Sequence, residues 1–167
     1  WLDLKRMGKE FGSILPFSHN HGAWTRERGG MVAMGLTHAE AVTGNYFMRD
    51  VEVTGTLRPL SGESHLVGAR IQGAMRGYYG GLHGRGKAAL LHHDRGTLRV
   101  LKETPFDWTP DTAYEVKVAA DGGSLALFID GKLVLEAREG TLEYGMAGYA
   151  QYAMGRTWFG DMHIQEK

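Results

Sequence analysis

The chain has 167 residues, and its 19 Lys and Arg balance its 19 Asp and Glu, so its formal net charge is zero. No overall field attracts nucleic acid or an anionic membrane, and we expect neither partner. Cysteine is absent, which excludes disulfides and thiolate metal sites. No apolar run approaches the ~20 residues of a membrane-spanning helix. The length predicts one domain over residues 1–167, and the start at Trp1 indicates a piece of a longer or processed protein.

The first part of the chain, residues 1–22, predicts an irregular lead-in with one or two strands. It contains the motif SHNH, which places His19 and His21 two positions apart. On a regular strand these side chains share one face and could reach one metal ion. No third His, Asp or Glu lies at a spacing that would complete a metal site, so we assign none.

From Tyr46 onward the apolar residues recur with a period of two, which is typical of half-buried strands. In DVEVTGTL, Val51 and Val53 face one side, and the same alternation recurs in HLVGARIQG and YEVKVAA. The stretches ADGG and IDGK are strong hairpin signals. Strands at intervals of 8 to 12 residues or so, with turns between them, predict an all-β sandwich or barrel.

The stretch GGLHGRGKAAL matches the beginning of a phosphate-binding P-loop when it is read from Gly81 to Lys87. A P-loop needs Ser or Thr after the lysine and a helix behind it. Ala88 follows instead, and the next turn signal, at Asp94 to Gly96, comes too soon for a helix. We therefore expect a β-hairpin here and no nucleotide site.

Several stretches together resemble one family: GAW…GGMVAMGL, YFMRDVEVTGTL, GARIQG…GYYGGL, YEVKVAADGGSLALFIDGKLVLEA and GMAGYAQY…TWFGDMHI. Over Ala23 to Ile164 the chain is similar to concanavalin A-like (laminin-G-like) jelly rolls used as carbohydrate-binding modules, including the fructan-binding type. Similar domains are appended to bacterial glycoside hydrolases and ADP-ribosylglycohydrolases. The resemblance implies an antiparallel two-sheet jelly-roll sandwich. It also implies a non-catalytic module that binds glycan, beside a catalytic hydrolase domain in the same chain.

The resemblance leaves the location of the protein open. A glycoside hydrolase parent would place it outside the bacterium or on its surface, and an ADP-ribosylglycohydrolase parent would place it in the cytoplasm. The family often ends in F-D-N-V, whose Asp helps to hold a structural calcium. Here Gly160 takes that position and Asp161 comes one place later. We therefore expect no cofactor and do not favour calcium.

In this family the outward face of one curved sheet is the usual sugar platform, and strand alternation nominates its residues here. We take Val67, Ala69 and Ile71 as facing the core, and likewise Leu82 and Leu91 on the next strands. The side chains then expected to face outward and bind glycan are Arg70, Gln72, Tyr79, His83 and His92, with Gln151 or Tyr152 from a later strand. As an exposed residue, Arg70 is expected to contribute little to stability.

Two alternatives stay open at this point. Glycoside hydrolases of the same sandwich class carry three acids on one strand, whereas this chain offers only Asp50 and Glu52 at that spacing, so we assign no catalytic residue. The other alternative is a structural or protein-contact domain, since strand aromatics often serve packing alone and a fold does not determine a function.

Overall fold

The computed structural model describes residues 17–73 and 76–167, and every helix or strand assigned in these ranges is a β-strand. In chain order the strands are β1 (Ser18–His21), β2 (Ala23–Glu27), β3 (Gly30–Gly35), β4 (His38–Thr43), β5 (Val51–Ser61), β6 (Ser64–Ile71), β7 (Arg76–His83), β8 (Lys87–Asp94), β9 (Thr97–Pro105), β10 (Tyr114–Asp121), β11 (Ser124–Ile129), β12 (Lys132–Arg138), β13 (Met146–Tyr152) and β14 (Gly155–Glu166). Across these two ranges no helix is long and apolar enough to cross a bilayer.

The strands form two seven-stranded antiparallel sheets. Sheet A has the order β1-β4-β13-β6-β7-β8-β9, and sheet B has the order β12-β11-β10-β5-β14-β3-β2. The expected all-β, two-sheet antiparallel sandwich is confirmed. Within the lead-in over residues 1–22, the strand β1 occupies Ser18–His21 and joins the edge of sheet A; residues 1–16 lie outside the described ranges.

The predicted period of two is clearest in β5, at the centre of sheet B. Val51, Val53, Gly55 and Leu57 are buried, and the residues that alternate with them are partly exposed. This alternation turns one row of side chains towards sheet A. The apolar layer between the sheets includes stacked rings, with the Tyr149 and Phe159 centroids 4.4 Å apart.

The stretch that resembles a P-loop is a β-hairpin, as expected. β7 ends at His83 and β8 begins at Lys87, and the two strands pair antiparallel. The Nζ atom of Lys87 lies 2.7 Å from Oε1 of Glu103, in an ion pair on the neighbouring strand β9. No helix follows the turn, because β8 continues directly into sheet A.

His19 and His21 do not share one face, so that expectation is wrong. The pairing of β1 with β4 shifts between these two residues, which inserts an irregular step into the strand. The His19 ring stacks on Trp24 at 5.2 Å, whereas the His21 ring lies 4.3 Å from that of His38.

Gly131 provides a test of the hairpin between β11 and β12. Asp130 and Gly131 have φ of 50° and 76°, the left-handed pair of a type I′ turn, and no atom lies within 4 Å of a Cβ built at Gly131. Gly131→Ala should therefore lower the free energy of unfolding by about 1 kcal/mol, through backbone strain alone. Chemical denaturation measures this change.

The matched control is Gly123→Ala, because Gly123 also has open space around it but does not have a left-handed φ. We expect that variant to unfold within about 0.5 kcal/mol of the wild type. Equal destabilisation by both substitutions would contradict the assignment of the turn.

Candidate functional site

A break in strand alternation at Arg70 decides which side chains reach each face of sheet A. Arg70 has φ of 51°, and the pairing of β13 with β6 slips between Met146 and Gly148. This step turns Ile71 to the outer face of sheet A, where it packs with Leu66 and Tyr79. The prediction that Ile71 faces the core is therefore wrong, because the irregular step reverses the alternation.

The Arg70 side chain is buried and only 1% exposed, so the expectation of an outward-facing Arg70 is also wrong. Its Nε donates to the carbonyl oxygen of Arg49 at 2.8 Å. Its Nη1 donates to the carbonyl oxygens of Gly122 and Leu142 at 2.8 and 3.0 Å, and its Nη2 lies 3.2 Å from Oδ1 of Asp50. The guanidinium thus joins three loops at one end of the sandwich.

His92 and Gln151 also differ from their expected outward placement. On β8, Leu90 faces the core and Leu91 the outer face, so His92 turns inward and its ring lies 5.0 Å from that of Tyr78. Gln151 is 1% exposed. The Thr157 hydroxyl donates to its Oε1 at 2.8 Å, across the two sheets. Alternation holds along β8, so the expectation failed at its starting point: Leu91 belongs to the outer cluster and does not face the core.

The outer face of sheet A is strongly concave. Tyr79 on β7 donates a hydrogen bond to the carboxylate of Glu40 on β4, although β6 and β13 lie between them. The His93 Nδ1 atom lies 2.6 Å from the hydroxyl of Tyr152, again with two strands between. In a flat sheet such strands would be ~14 Å apart, so the sheet must curve to bring these side chains together.

Four residues therefore form a polar row across the concave face: Glu40, Tyr79, Tyr152 and His93. The rings of Tyr79 and Tyr152 meet edge to face at 5.6 Å. Apolar side chains, among them Leu66 and Leu91, surround the row. Tyr79 is fully buried and Glu40 is 1% exposed, so the row lies within this apolar cluster.

Two of the predicted residues, Tyr79 and Tyr152, thus belong to the row, while the sequence argument missed Glu40 and His93. A signal for Glu40 was present, because HAEAVT alternates polar and small residues and places His38 and Glu40 on one side of β4.

Two further predicted residues lie at the margin of the concave face and are partly exposed. The His83 Nδ1 atom lies 2.9 Å from the hydroxyl of Ser64. Gln72 follows the end of β6, and its Nε2 donates to the carbonyl oxygen of Tyr144 at 2.8 Å. The half-buried His38 completes this margin, with its ring stacked 6.2 Å from that of Tyr152.

Burial controls the protonation of these groups. Desolvation lowers the pKa of His93, and the nearby His38 adds to the effect; desolvation likewise lowers the pKa of His38 and His83. Burial also raises the pKa of the Tyr79 and Tyr152 hydroxyls. At neutral pH these imidazoles and phenols are uncharged, so each can offer both a donor and an acceptor.

The acids weighed for catalysis are engaged elsewhere. The Asp50 Oδ1 atom accepts from Gly122 N at 2.8 Å as well as from Arg70, and Glu52 pairs with Lys117 and Lys167. Among the described residues no group of three or more His, Asp or Glu side chains has the geometry of a metal site. Gly160 and Asp161 lie where the pairing of β14 with β5 is irregular, and the backbone carbonyl oxygens of both residues accept hydrogen bonds from the Tyr149 hydroxyl.

Comparison with solved structures identifies the fold. No protein-family model matches the chain, and no curated protein matches its sequence at a significant level. A carbohydrate-binding module, CBM66 from Bacillus subtilis, superposes with a TM-score of 0.83 at 15% identity, over 90% of this chain and 96% of that one. The exoplasmic/lumenal domain of VIP36, in a Ca²⁺/Man-bound form, superposes with a TM-score of 0.70 at 12% identity, over 96% of this chain and 86% of that one.

A third similar structure is described as a sialidase, with a TM-score of 0.61 at 8% identity. The alignment covers 87% of this chain but only 16% of the sialidase, so in the sialidase this fold is one part of a longer protein. At such identities the likeness concerns the fold alone. The chain has a jelly-roll, galectin-like fold, and the expected concanavalin A-like sandwich is confirmed.

Arg70→Ala should lower the free energy of unfolding by about 2 kcal/mol or more, because it leaves three carbonyl oxygens without their buried donor. Denaturant unfolding followed by fluorescence measures the change. The control is Arg85→Ala, which breaks only a surface pair with Glu63 and should cost less than about 1 kcal/mol. Similar unfolding midpoints for both variants would contradict the structural role of Arg70.

Stability should also fall as the pH is lowered from 6.5 to 4. Desolvation is the main cause that lowers the pKa of His65 from 6.5 to about 4. In this window the unfolded chain takes up a proton that the folded protein excludes, so the stability present above pH 6.5 is lost as the pH falls. Unfolding free energies measured across the window should fall less steeply in His65→Gln. An unchanged slope in that variant would refute the assignment.

Proposed function

We propose that this protein is a non-catalytic glycan-binding domain whose ligand lies against the concave face of sheet A. The observation that carries this proposal is the polar row, whose members lie on four strands within an otherwise apolar cluster. Side chains such as Leu or Phe would fill the same space at lower desolvation cost. Polar groups kept in such a position are candidates for function.

The chemistry of the concave face suits a neutral polyol. Sugar hydroxyls donate and accept hydrogen bonds together, and so do neutral imidazoles and protonated phenols. Burial keeps His38, His83 and His93 in that neutral form at pH 7, since it lowers their pKa. The balanced charge of the chain gives no general attraction to polyanions, which also favours an uncharged ligand.

The ligand enters from the margin of the face. His38 and His83 are partly exposed there, whereas Tyr79 is closed to water. The half-exposed imidazoles contact the glycan first, Tyr152 of the row stacks on His38 behind them, and the row accepts a sugar hydroxyl when the ligand is seated. The likeness to a carbohydrate-binding module at a TM-score of 0.83 supports this use of the fold.

We further propose that the domain serves a catalytic hydrolase domain of the same parent chain. The fold forms one part of a longer sialidase among the similar structures, which supports an accessory role. In such proteins a weakly binding module raises the local concentration of substrate near the catalytic site. The sequence of the complete gene product tests this part of the proposal, and a parent that lacks any hydrolase domain would refute it.

Two variants test the glycan site: Tyr79→Phe and Tyr152→Phe. Each removes one hydroxyl from the polar row and keeps the ring, so affinity for glycan should fall by about three- to tenfold. His83→Ala should weaken binding similarly. An array of neutral glycans, with fructan, mannan, galactoside and β-glucan chains, finds the ligand, and calorimetry measures its affinity.

The matched control is Tyr149→Phe, which makes the same chemical change on the inner face of β13, where the hydroxyl donates to backbone carbonyls. Its affinity for glycan should equal that of the wild type. If no neutral glycan binds the wild type, or if the row variants bind as well as the control, the proposed function is wrong. A protein-contact domain would then be the better account.

A further inference from the structure

An exposed cluster of three aromatic rings lies at the end of the sandwich where Arg70 is buried. Tyr46 and Phe47 belong to the loop after β4, and Tyr144 belongs to the loop before β13. The ring of Tyr46 lies 5.4 Å from that of Phe47 and 5.6 Å from that of Tyr144. Phe47 is 72% exposed, which is unusual for a phenylalanine in contact with two other rings.

The two loops that carry this aromatic cluster are held by their own hydrogen bonds. The amide of Phe47 donates to Oδ1 of Asn45 at 2.9 Å. The next residue, Met48, is buried in the core, and its carbonyl oxygen accepts from Gly145 N at 3.0 Å. The loop after β4 is therefore joined to the loop before β13 directly beside the rings.

Arg70 and Gln72 support the same loops from the sheet side. Arg70 donates to the carbonyl oxygens of Arg49 and Leu142, one on each loop, and Gln72 donates to that of Tyr144. Rings mounted on loops with such support lose little conformational freedom when a ligand stacks on them. These two residues, first nominated as ligand contacts, act on the cluster as positioning residues.

Polar groups flank the aromatic cluster on the same loops. Arg49 Nη1 lies 3.3 Å from Oε2 of Glu143, and the two side chains are 66% and 70% exposed. A surface pair of this kind adds little stability, so both groups remain ready to bond with a ligand. One cation and one anion on the same loops as the rings can donate to and accept from neighbouring sugar hydroxyls.

We propose that the aromatic cluster is a second contact site for the same glycan, one or more sugar rings away from the concave face. The inference rests on the proposed function. A sugar ring places its C–H face on Phe47 and Tyr144 and its hydroxyls against Arg49 and Glu143. Tyr144 is two residues before Met146, and Gln72 follows Ile71, both of which pack on the concave face. His38 and Tyr152 lie at the other ends of β4 and β13, about 16 to 20 Å along these strands, so an oligosaccharide of several residues can contact both places.

The length of the bound glycan distinguishes this second site from the first. Calorimetry would compare hexasaccharides of the fructan, mannan, galactoside and β-glucan series with the methyl glycosides of their terminal residues. Phe47→Ala and Tyr144→Ala should weaken hexasaccharide binding about tenfold and leave methyl glycoside binding unchanged. The control Leu36→Ala removes another exposed apolar side chain, in the turn between β3 and β4, and should change neither affinity.

Each result decides between the two sites. If Tyr79→Phe weakens binding and Phe47→Ala does not, the second site is wrong and the proposed function stands. If Phe47→Ala weakens the binding of hexasaccharide and methyl glycoside equally, the cluster contacts the terminal ring and the proposal of a separate site fails. If no neutral glycan binds the wild type, both proposals fail, and binding of a protein partner to the cluster would explain its exposure. Melting curves of all variants exclude unfolding as the cause.

Discussion

The buried guanidinium of Arg70 is the interaction on which one end of the sandwich depends. It sits in a left-handed backbone conformation, and its donors reach carbonyl oxygens on three separate loops as well as the Asp50 carboxylate. A buried cation without such acceptors would be very costly, so the loops and the arginine require each other. The same conformation turns Ile71 to the concave face. Arg70 therefore connects the loop end, the pairing of β6 and the composition of the outer surface.

The concave face is a second packed layer with polar side chains inside it. Tyr79 and Tyr152 meet edge to face, and each hydroxyl has a polar partner from a distant strand, Glu40 or His93. Curvature makes these contacts possible, and small residues help. A Cβ added at Gly68 would lie 2.9 Å from the Tyr79 ring and 2.7 Å from the Ile71 side chain. The glycine leaves the space in which the tyrosine lies across the sheet.

The protein thus combines two surfaces of different character. The concave face holds hydrogen-bonding groups, among them neutral imidazoles and phenols, in an apolar setting, and the loop end presents exposed rings on the same loops as an ion pair. Glycan recognition needs both kinds of contact, because a sugar has C–H faces as well as hydroxyls. For the proposed glycan site we expect weak binding, with dissociation constants roughly in the millimolar to micromolar range. Contact at two places would raise the affinity for longer chains.

The sequence by itself determined the all-β fold, the period of two in β5 and the hairpins at Lys87 and Gly131, because alternation and turn chemistry are local properties. It also nominated Tyr79 as outward-facing, and on β13 it left Gln151 and Tyr152 as alternatives, of which the structure places Tyr152 outward. Only the tertiary structure decided the rest of the concave face. Arg70 turned inward because its backbone breaks the alternation, and Glu40 meets Tyr79 because the sheet is curved. Irregular pairing and curvature arise between strands, so no pattern within one strand reveals them.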